Sequence, residues 1–525
     1  MRALLLLLLA AAALPVQVSY ERIRRAREEP GNWLTDSGSY DGHRYSSLTQ
    51  ITRENVARLK PAWVFQTNDL NKFEVSPLVV DGILYITEPP GVVTVLDGRT
   101  GRPLWTQRRQ LPEDVRPCCG RVNRGLAILG RRVFMGTLDA HLIALDARSE
   151  RLLWDVEVAS HKRGYSITGA PLALLDRVIV GVSGGELGVR GFIDAYADDD
   201  GRRLWRFWTV PGPGEPGNET WAGKSWESGG AAAWLTGTYD PEANLLYWGT
   251  GNPGPDYDGE VRPGDNLYSC SLVALDADTG RLKWHFQFTP HDVHDWDSNQ
   301  VPVLIDAPFR GAPRKLLAFA NRNGFYYLLD RLTGEFLAGE QFAKQTWAAG
   351  LDDRGKPILL PGKQPTVEGN VVYPGMHGGT NWFSPSYSPK TGLLYVGVRE
   401  EGTAYYTERV DFVPGGWYFG GGIRGIPGLE PTGSIKALEA LTGKTRWEFP
   451  LRSPPWAGLL STAGGLVFTG SSEGFFFALD ALTGTPLWRF PAGAPIFANP
   501  VTFLVDGRQH VAIAAGHALF AFALD

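Results

Sequence analysis

The chain has 525 residues, with 51 basic and 56 acidic side chains and a formal charge of −5. No Lys/Arg-rich run stands out, which excludes a basic nucleic-acid binder, and three cysteines are too few for a disulfide scaffold of this length. Gly at 64 and Pro at 37, beside 18 Trp, 18 Tyr and 25 Phe, read as many tight turns between short aromatic strands.

Residues 1–19 have the form of a secretory leader. Arg2 gives a positive start, Leu4 to Ala13 an apolar stretch, and Pro15 a break before the first acid, Glu21. The apolar run is short for a membrane anchor, and no cysteine lies near it for a lipid attachment. No later stretch is long enough to span a membrane. An exported, periplasmic chain is expected, with residues 20–525 forming one domain.

A short pattern then recurs through that domain. It reads VLDGRTGRPLW at 95–105, ALDARSERLLW at 144–154, ALDADTGRLKW at 274–284, ALEALTGKTRW at 437–447 and ALDALTGTPLW at 478–488. Degenerate copies are AYADDDGRRLW at 195–205 and LLDRLTGEFLA at 328–338, which lacks the Trp. Each reads as strand, tight turn, strand, with an alternating run such as LLYWGTGN (245–252) upstream. Units of about 40–55 residues with four strands each fit a β-propeller better than a stacked solenoid. Seven copies, plus one expected in the interval 339–435, predict an all-β, eight-bladed propeller with tryptophan-docking repeats. Such a fold carries enzymes and scaffolds alike, so function rests on the residues outside the repeat.

Those residues come in Gly-rich turns. Cys118 and Cys119 are adjacent in RPCCGRVNRG; in an exported protein a vicinal disulfide, acting as a rigid plate against a ligand, explains them better than two chance thiols. SGGELGVRG (183–191) presents Glu186, GTGNPGP (249–255) presents Asn252, and TPHDVHDWDSNQ (289–300) packs Asp292, Asp295 and Asp297 beside His291 and His294. Taken singly these are turn or surface residues; together they are hard oxygen donors, suited to Ca²⁺ or a similar larger cation and unsuited to zinc. Cys270 has no evident role.

The order of these segments, with NRNGFYYLLDR (321–331), TNWFSPSYSP (380–389) and WAGLLSTAGGLVFTG (456–470), resembles the methanol/ethanol family of pyrroloquinoline-quinone (PQQ) alcohol dehydrogenases over residues 32–525. The resemblance implies a propeller with PQQ and one metal ion on its axis. It places PQQ between the Cys118–Cys119 disulfide and Trp234. Glu74, Arg124, Thr168, Ser183, Gly184, Gly185, Arg322, Asn381 and Trp456 surround it, and Ala232 stands where several relatives have a hydroxyl. It makes Glu186, Asn252, Asp295 and Asp297 metal ligands, with Asp295 also the general base and Arg322 stabilising charge on the quinone.

Asp297 corresponds to an acid of lanthanide-dependent relatives. If 295–297 is a strand, both carboxylates face one side, and a lanthanide(III) is favoured over Ca²⁺. The implied partners are a small primary alcohol and a cytochrome c electron acceptor; no C-x-x-C-H occurs for a covalent haem. The aromatic loop 415–427 is expected to cap the entrance. The competing readings are a non-catalytic propeller scaffold and a sugar or polyol quinoprotein dehydrogenase.

Overall fold

The structure is a computed structural model that describes residues 17–525. The first sixteen residues of the expected leader lie outside the described residues. The domain is already engaged at Val18, which is fully buried and bridges to Gly130, while Ser19 caps the helix Tyr20–Arg24.

Eight sheets of four or five strands follow one another along the chain. Sheets 1 to 6 cover residues 78–108, 127–157, 172–208, 238–287, 303–341 and 386–451. Sheet 7 is residues 459–491 with the strand Tyr45–Ser46 added in parallel; sheet 8 is residues 501–523 with the strand Lys60–Gln66. In sheet 1 the first three strands are buried almost throughout, while the fourth, Pro103–Arg108, alternates and faces out. Burial on both faces of the inner strands explains their continuous apolar runs, and partial exposure explains the alternation of the outer one.

The repeat supplies the turn between the third and fourth strands. Asp97 Oδ1 accepts the backbone N–H groups of Arg99 (2.8 Å) and Thr100 (3.1 Å), an Asx turn that Asp330 and Asp480 reproduce. The pairing of every third and fourth strand in sheets 1 to 7 then slips by one residue, as at Val95/Leu96 and Ala274/Leu275. This bulge turns the outer strand and aims its Trp at the next sheet.

The target is the turn of that neighbour. Trp205 Nε1 donates to Ala277 O (3.2 Å), and a Cβ on Gly280 would lie 2.5 Å from the Trp205 ring. Trp154 reaches Asp198 O, Trp284 reaches Arg331 O and Trp447 reaches Ala481 O, each at 3.1 Å. Sheet 5, whose repeat ends in Ala338, uses Tyr326 instead, donating to Ala440 O at 2.5 Å. Tyr85 OH donates to Ala147 O between sheets 1 and 2 (3.1 Å), where the repeat has no glycine to receive an indole. Trp488 packs edge-on against Phe522 between sheets 7 and 8, and Trp63 of sheet 8 donates to Gly98 O of sheet 1 at 2.8 Å. Each sheet therefore meets the next and the last meets the first, which is the β-propeller arrangement.

The interval 339–435 does not hold a separate sheet of this kind. It contains the first half of sheet 6 and an insertion of two small sheets, Ala348–Leu351 with Pro357–Leu359, and Asn370–Val372 with Thr403–Thr407 and Gly421–Arg424. The eighth sheet comes from the two ends of the described chain, which is why it carries no copy of the repeat.

Candidate active site

The site is built from loops that enter the first strand of a sheet or join its second and third strands. These loops are tied to one another. Ser76 N donates to Arg124 O (2.9 Å), Arg124 N to Thr168 O (3.0 Å), Ala231 N to Asn252 O (2.8 Å) and Gly379 N to Arg322 O (2.8 Å). Gly458 N donates to Ala498 O (3.1 Å), and Asn499 N to Val75 O (3.3 Å). Backbone groups that would otherwise be orphaned at the axis satisfy one another and hold the side chains they carry.

The loops enclose a cavity of about 260 Å³. Of the residues singled out from sequence, Glu74, Cys118, Cys119, Arg124, Thr168, Ser183, Gly184, Glu186, Trp234, Asp295, Asp297, Arg322, Asn381 and Trp456 all line it. Gly185 and Asn252 stand just behind: a Cβ on Gly185 would meet Asn252 Oδ1 at 3.9 Å, and Asn252 is buried. The sulfurs of Cys118 and Cys119 are in contact, and a carboxylate oxygen of Glu186 lies within 4.8 Å of both.

One side of the cavity is cationic and aromatic. Arg124 pairs with Glu74 (2.8 Å) and stacks its guanidinium over Trp234 and Trp382, 5.1 and 4.8 Å from the ring centres. Burial pushes Glu74 up and Arg124 down from their ordinary values, each partly offset by the other. Thr168 and Ser183 share a hydroxyl hydrogen bond of 2.8 Å. The Nε–H groups of Arg124 and Arg322 are buried with no acceptor among the described residues.

The other side is acidic. Asp297 accepts from Asn252 N (2.9 Å), from Trp234 Nε1 (3.2 Å) and from Arg322 Nη1, while Arg322 Nη2 lies 3.7 Å from Asp295. The segment 292–297 is not a strand. Asp295 is left-handed, with φ of 60°, and Trp296 is anchored by its Nε1–H to Gly375 O at 3.2 Å. Asp295 and Asp297 reach the same cavity through this kink and not through strand alternation. Burial, then the charges of Asp297 and Asp256 against the opposing pull of Arg322, drives Asp295 well above the usual carboxylate range. Burial and Asp297 raise Glu186 to about 7.

Several residues here escaped the sequence reading. Lys72, Val122, Met376, His377, Trp382 and Phe497 also line the cavity. His377 Nδ1 lies 3.1 Å from Glu401, whose other partner is Arg399 at 2.8 Å. Asp256 is buried behind the wall, beside Glu186, Asn252 and Asp297. Val122 and Trp382 lie inside the segments RPCCGRVNRG and TNWFSPSYSP without having been singled out, and the others fall outside every segment quoted above. The aromatic loop does not line the cavity; it braces the acidic turns from outside. Tyr418 N donates to Glu186 O (2.8 Å), and Tyr257 N to Phe419 O (2.9 Å).

The family described as glucose/ethanol/alcohol dehydrogenase, beta-propeller domain (PQQ) matches residues 33–341 and 430–511. The chain is 40% identical over 538 residues to the quinoprotein alcohol dehydrogenase PedH of Pseudomonas putida, covering 97% of this chain and 90% of that one. This chain belongs to the quinoprotein alcohol dehydrogenases. Among solved structures, the quinohemoprotein alcohol dehydrogenase of Comamonas testosteroni has a TM-score of 0.93 at 35% identity, covering 97% of this chain and 82% of that one. A europium-containing methanol dehydrogenase has a TM-score of 0.92 at 34% identity, covering 96% and 100%. For a quinoprotein the donor set fits. Two orphaned guanidinium N–H groups and a planar aromatic wall suit a flat polycarboxylate, and buried carboxylates with an amide oxygen suit a hard cation.

Proposed function

We propose that the protein is a periplasmic, PQQ- and metal-dependent dehydrogenase that oxidises a small primary alcohol to its aldehyde and passes the electrons to a cytochrome c. The observation that carries this reading is the convergence of Asp295, Arg322, Glu186 and Asp297 on one cavity walled by Cys118, Cys119 and Trp234. A scaffold has no use for so costly a cluster of buried charge.

The faces of PQQ would lie against a Cys118–Cys119 disulfide and Trp234. Arg124, with Glu74, Thr168, Ser183, Gly184, Gly185, Asn381 and Trp456, would hold its edge. Glu186, Asn252, Asp295 and Asp297 would hold the cation. Bound together, the two supply a hydride acceptor made electrophilic by a Lewis acid. Asp295, raised by burial, would be held ionised by the bound cation and would take the hydroxyl proton of the alcohol. Arg322, clamped by Asp297 and by Met376 O at 2.5 Å, keeps its cationic head at the reacting edge. The acidity of the site and the likeness to a europium-containing enzyme favour a lanthanide(III) over Ca²⁺.

We read the eight sheets as eight blades and the indole contacts as tryptophan docking. The leader is taken to end before Val18, because Val18 and Ser19 are used by the fold. Dye reduction by the purified protein with PQQ, comparing La³⁺ with Ca²⁺ on methanol, ethanol and a longer primary alcohol, tests the whole assignment. Activity with La³⁺ is expected. Activity with Ca²⁺ alone would remove the lanthanide, and no PQQ binding under either metal would return the protein to the scaffold class.

A further inference from the structure

Asp256 is the anomaly of the acidic side. It is 1% exposed, yet neither carboxylate oxygen has a hydrogen-bond partner among the described residues. The Asn252 amide approaches it without reaching hydrogen-bond geometry. A fully buried, unpartnered carboxylate is costly unless something positive is brought to it. Asp297, by contrast, is tied to Arg322, Trp234 and Asn252 N.

The surroundings do not neutralise it. Five carboxylates, those of Glu186, Asp256, Asp292, Asp295 and Asp297, share this interior with two guanidinium groups, Arg262 and Arg322, leaving a formal −3. Arg262 spends its N–H groups on Pro255 O, Asn266 Oδ1 and Asp292 O and gives none to the Asp256 side chain. The bracing of both acidic turns by the 418–419 backbone keeps Asp256 from swinging out to solvent.

We propose that Asp256 is a further carboxylate donor to the cation held by Glu186, Asn252 and Asp297, and that it matches the site to a trivalent ion. The proposal rests on the metal site described above and adds to it a ligand outside the acidic pair at 295 and 297. A hard cation of higher charge takes more oxygen donors and gains more from each anionic one.

The test uses the full chain, stripped by chelator and supplied with PQQ, titrated with Tb³⁺ and with Ca²⁺ as competitor. Tryptophan-sensitised Tb³⁺ luminescence gives the affinity, and its lifetime in H₂O against D₂O gives the number of bound waters. Asp256→Asn is expected to weaken Tb³⁺ by about tenfold or more, to lose less for Ca²⁺, and to admit additional water at the ion. Asp256→Glu is expected to recover part of the Tb³⁺ affinity, which a merely structural role would not. Equal affinity and equal hydration in wild type and Asp256→Asn overturn the proposal, as does a weakened Asp256→Asn with no recovery in Asp256→Glu. Glu186→Gln separates the two levels: it should lose both ions, and if it binds like wild type the underlying metal site is wrong and the proposal falls with it.

Discussion

At the scale of single residues, Asp295, the proposed general base, owes its place in the cavity to a left-handed backbone. A β-region Asp at this position would follow the path of a strand; φ of 60° turns its carboxylate into the cavity beside Arg322. Replacing it with Asn keeps the shape and removes the proposed base. Turnover of the reconstituted enzyme is expected to fall by about 10²- to 10⁴-fold while PQQ retention, followed by absorbance, is unchanged. His294, one residue earlier, has a structural part. It stacks on Trp296 at 4.3 Å, its Nε2 lies 2.9 Å from Lys363 O, and burial pushes its pKa from 6.5 down to about 4. The unfolded chain takes up that proton near 6.5 and the folded chain only near 4, so U binds more protons between those values and stability falls as pH drops through that window. His294→Phe should flatten that part of the stability–pH curve, read from denaturant midpoints; an unchanged slope would show that the imidazole does not titrate on unfolding.

At the scale of the element, the contact between an outer strand and the next turn does the joining. A Cβ at Gly484 would lie 2.5 Å from the Trp447 ring, at φ of 72°; Gly493 has a similar φ of 79° with nothing within 4 Å. Comparing the two separates collision from backbone strain. Gly493→Val is expected to cost about 1–2 kcal/mol from the left-handed backbone alone. Gly484→Val should cost a further ~1–3 kcal/mol from overpacking, measured by equilibrium unfolding. Equal losses would mean that the indole contact is loose. Trp447→Ala, which removes the ring and its bond to Ala481 O, should cost ~3–5 kcal/mol.

For the whole molecule the decisive feature is closure. Lys60–Gln66 pairs with Ala518–Ala523, and Trp63 on that strand reaches sheet 1, so one strand both completes the last sheet and locks it to the first. A chain starting after residue 66 would expose the Ala518–Ala523 edge and lose the Trp63 contact. Such an apolar open edge is expected to drive self-association, visible as loss of the monomer peak in size-exclusion chromatography. The cavity depends on the same closure. Asn499 Nδ2 donates to Ser76 Oγ at 2.9 Å across 423 residues of sequence, and Phe497 faces the cavity with residues from the opposite end of the chain.

The repeat determined the turns by itself, because an Asx turn and a bulge are local: Asp97, Asp330 and Asp480 bond within three residues of themselves. The adjacent cysteines stood out within their own few residues, whereas Glu186, Asp295 and Asp297 read singly as turn or surface residues and were marked only by the order of the segments that resembles a family. What the tertiary structure alone decided is everything that rests on ring closure. The eighth sheet is assembled from the two ends, so no local pattern announced it. The kink at Asp295 is held by the Trp296 anchor to Gly375 O, so the segment does not extend as a strand. Asp256, His377, Lys72 and Phe497 are ordinary residues in their own loops, and only the meeting of loops from different sheets at the axis brings them to the site.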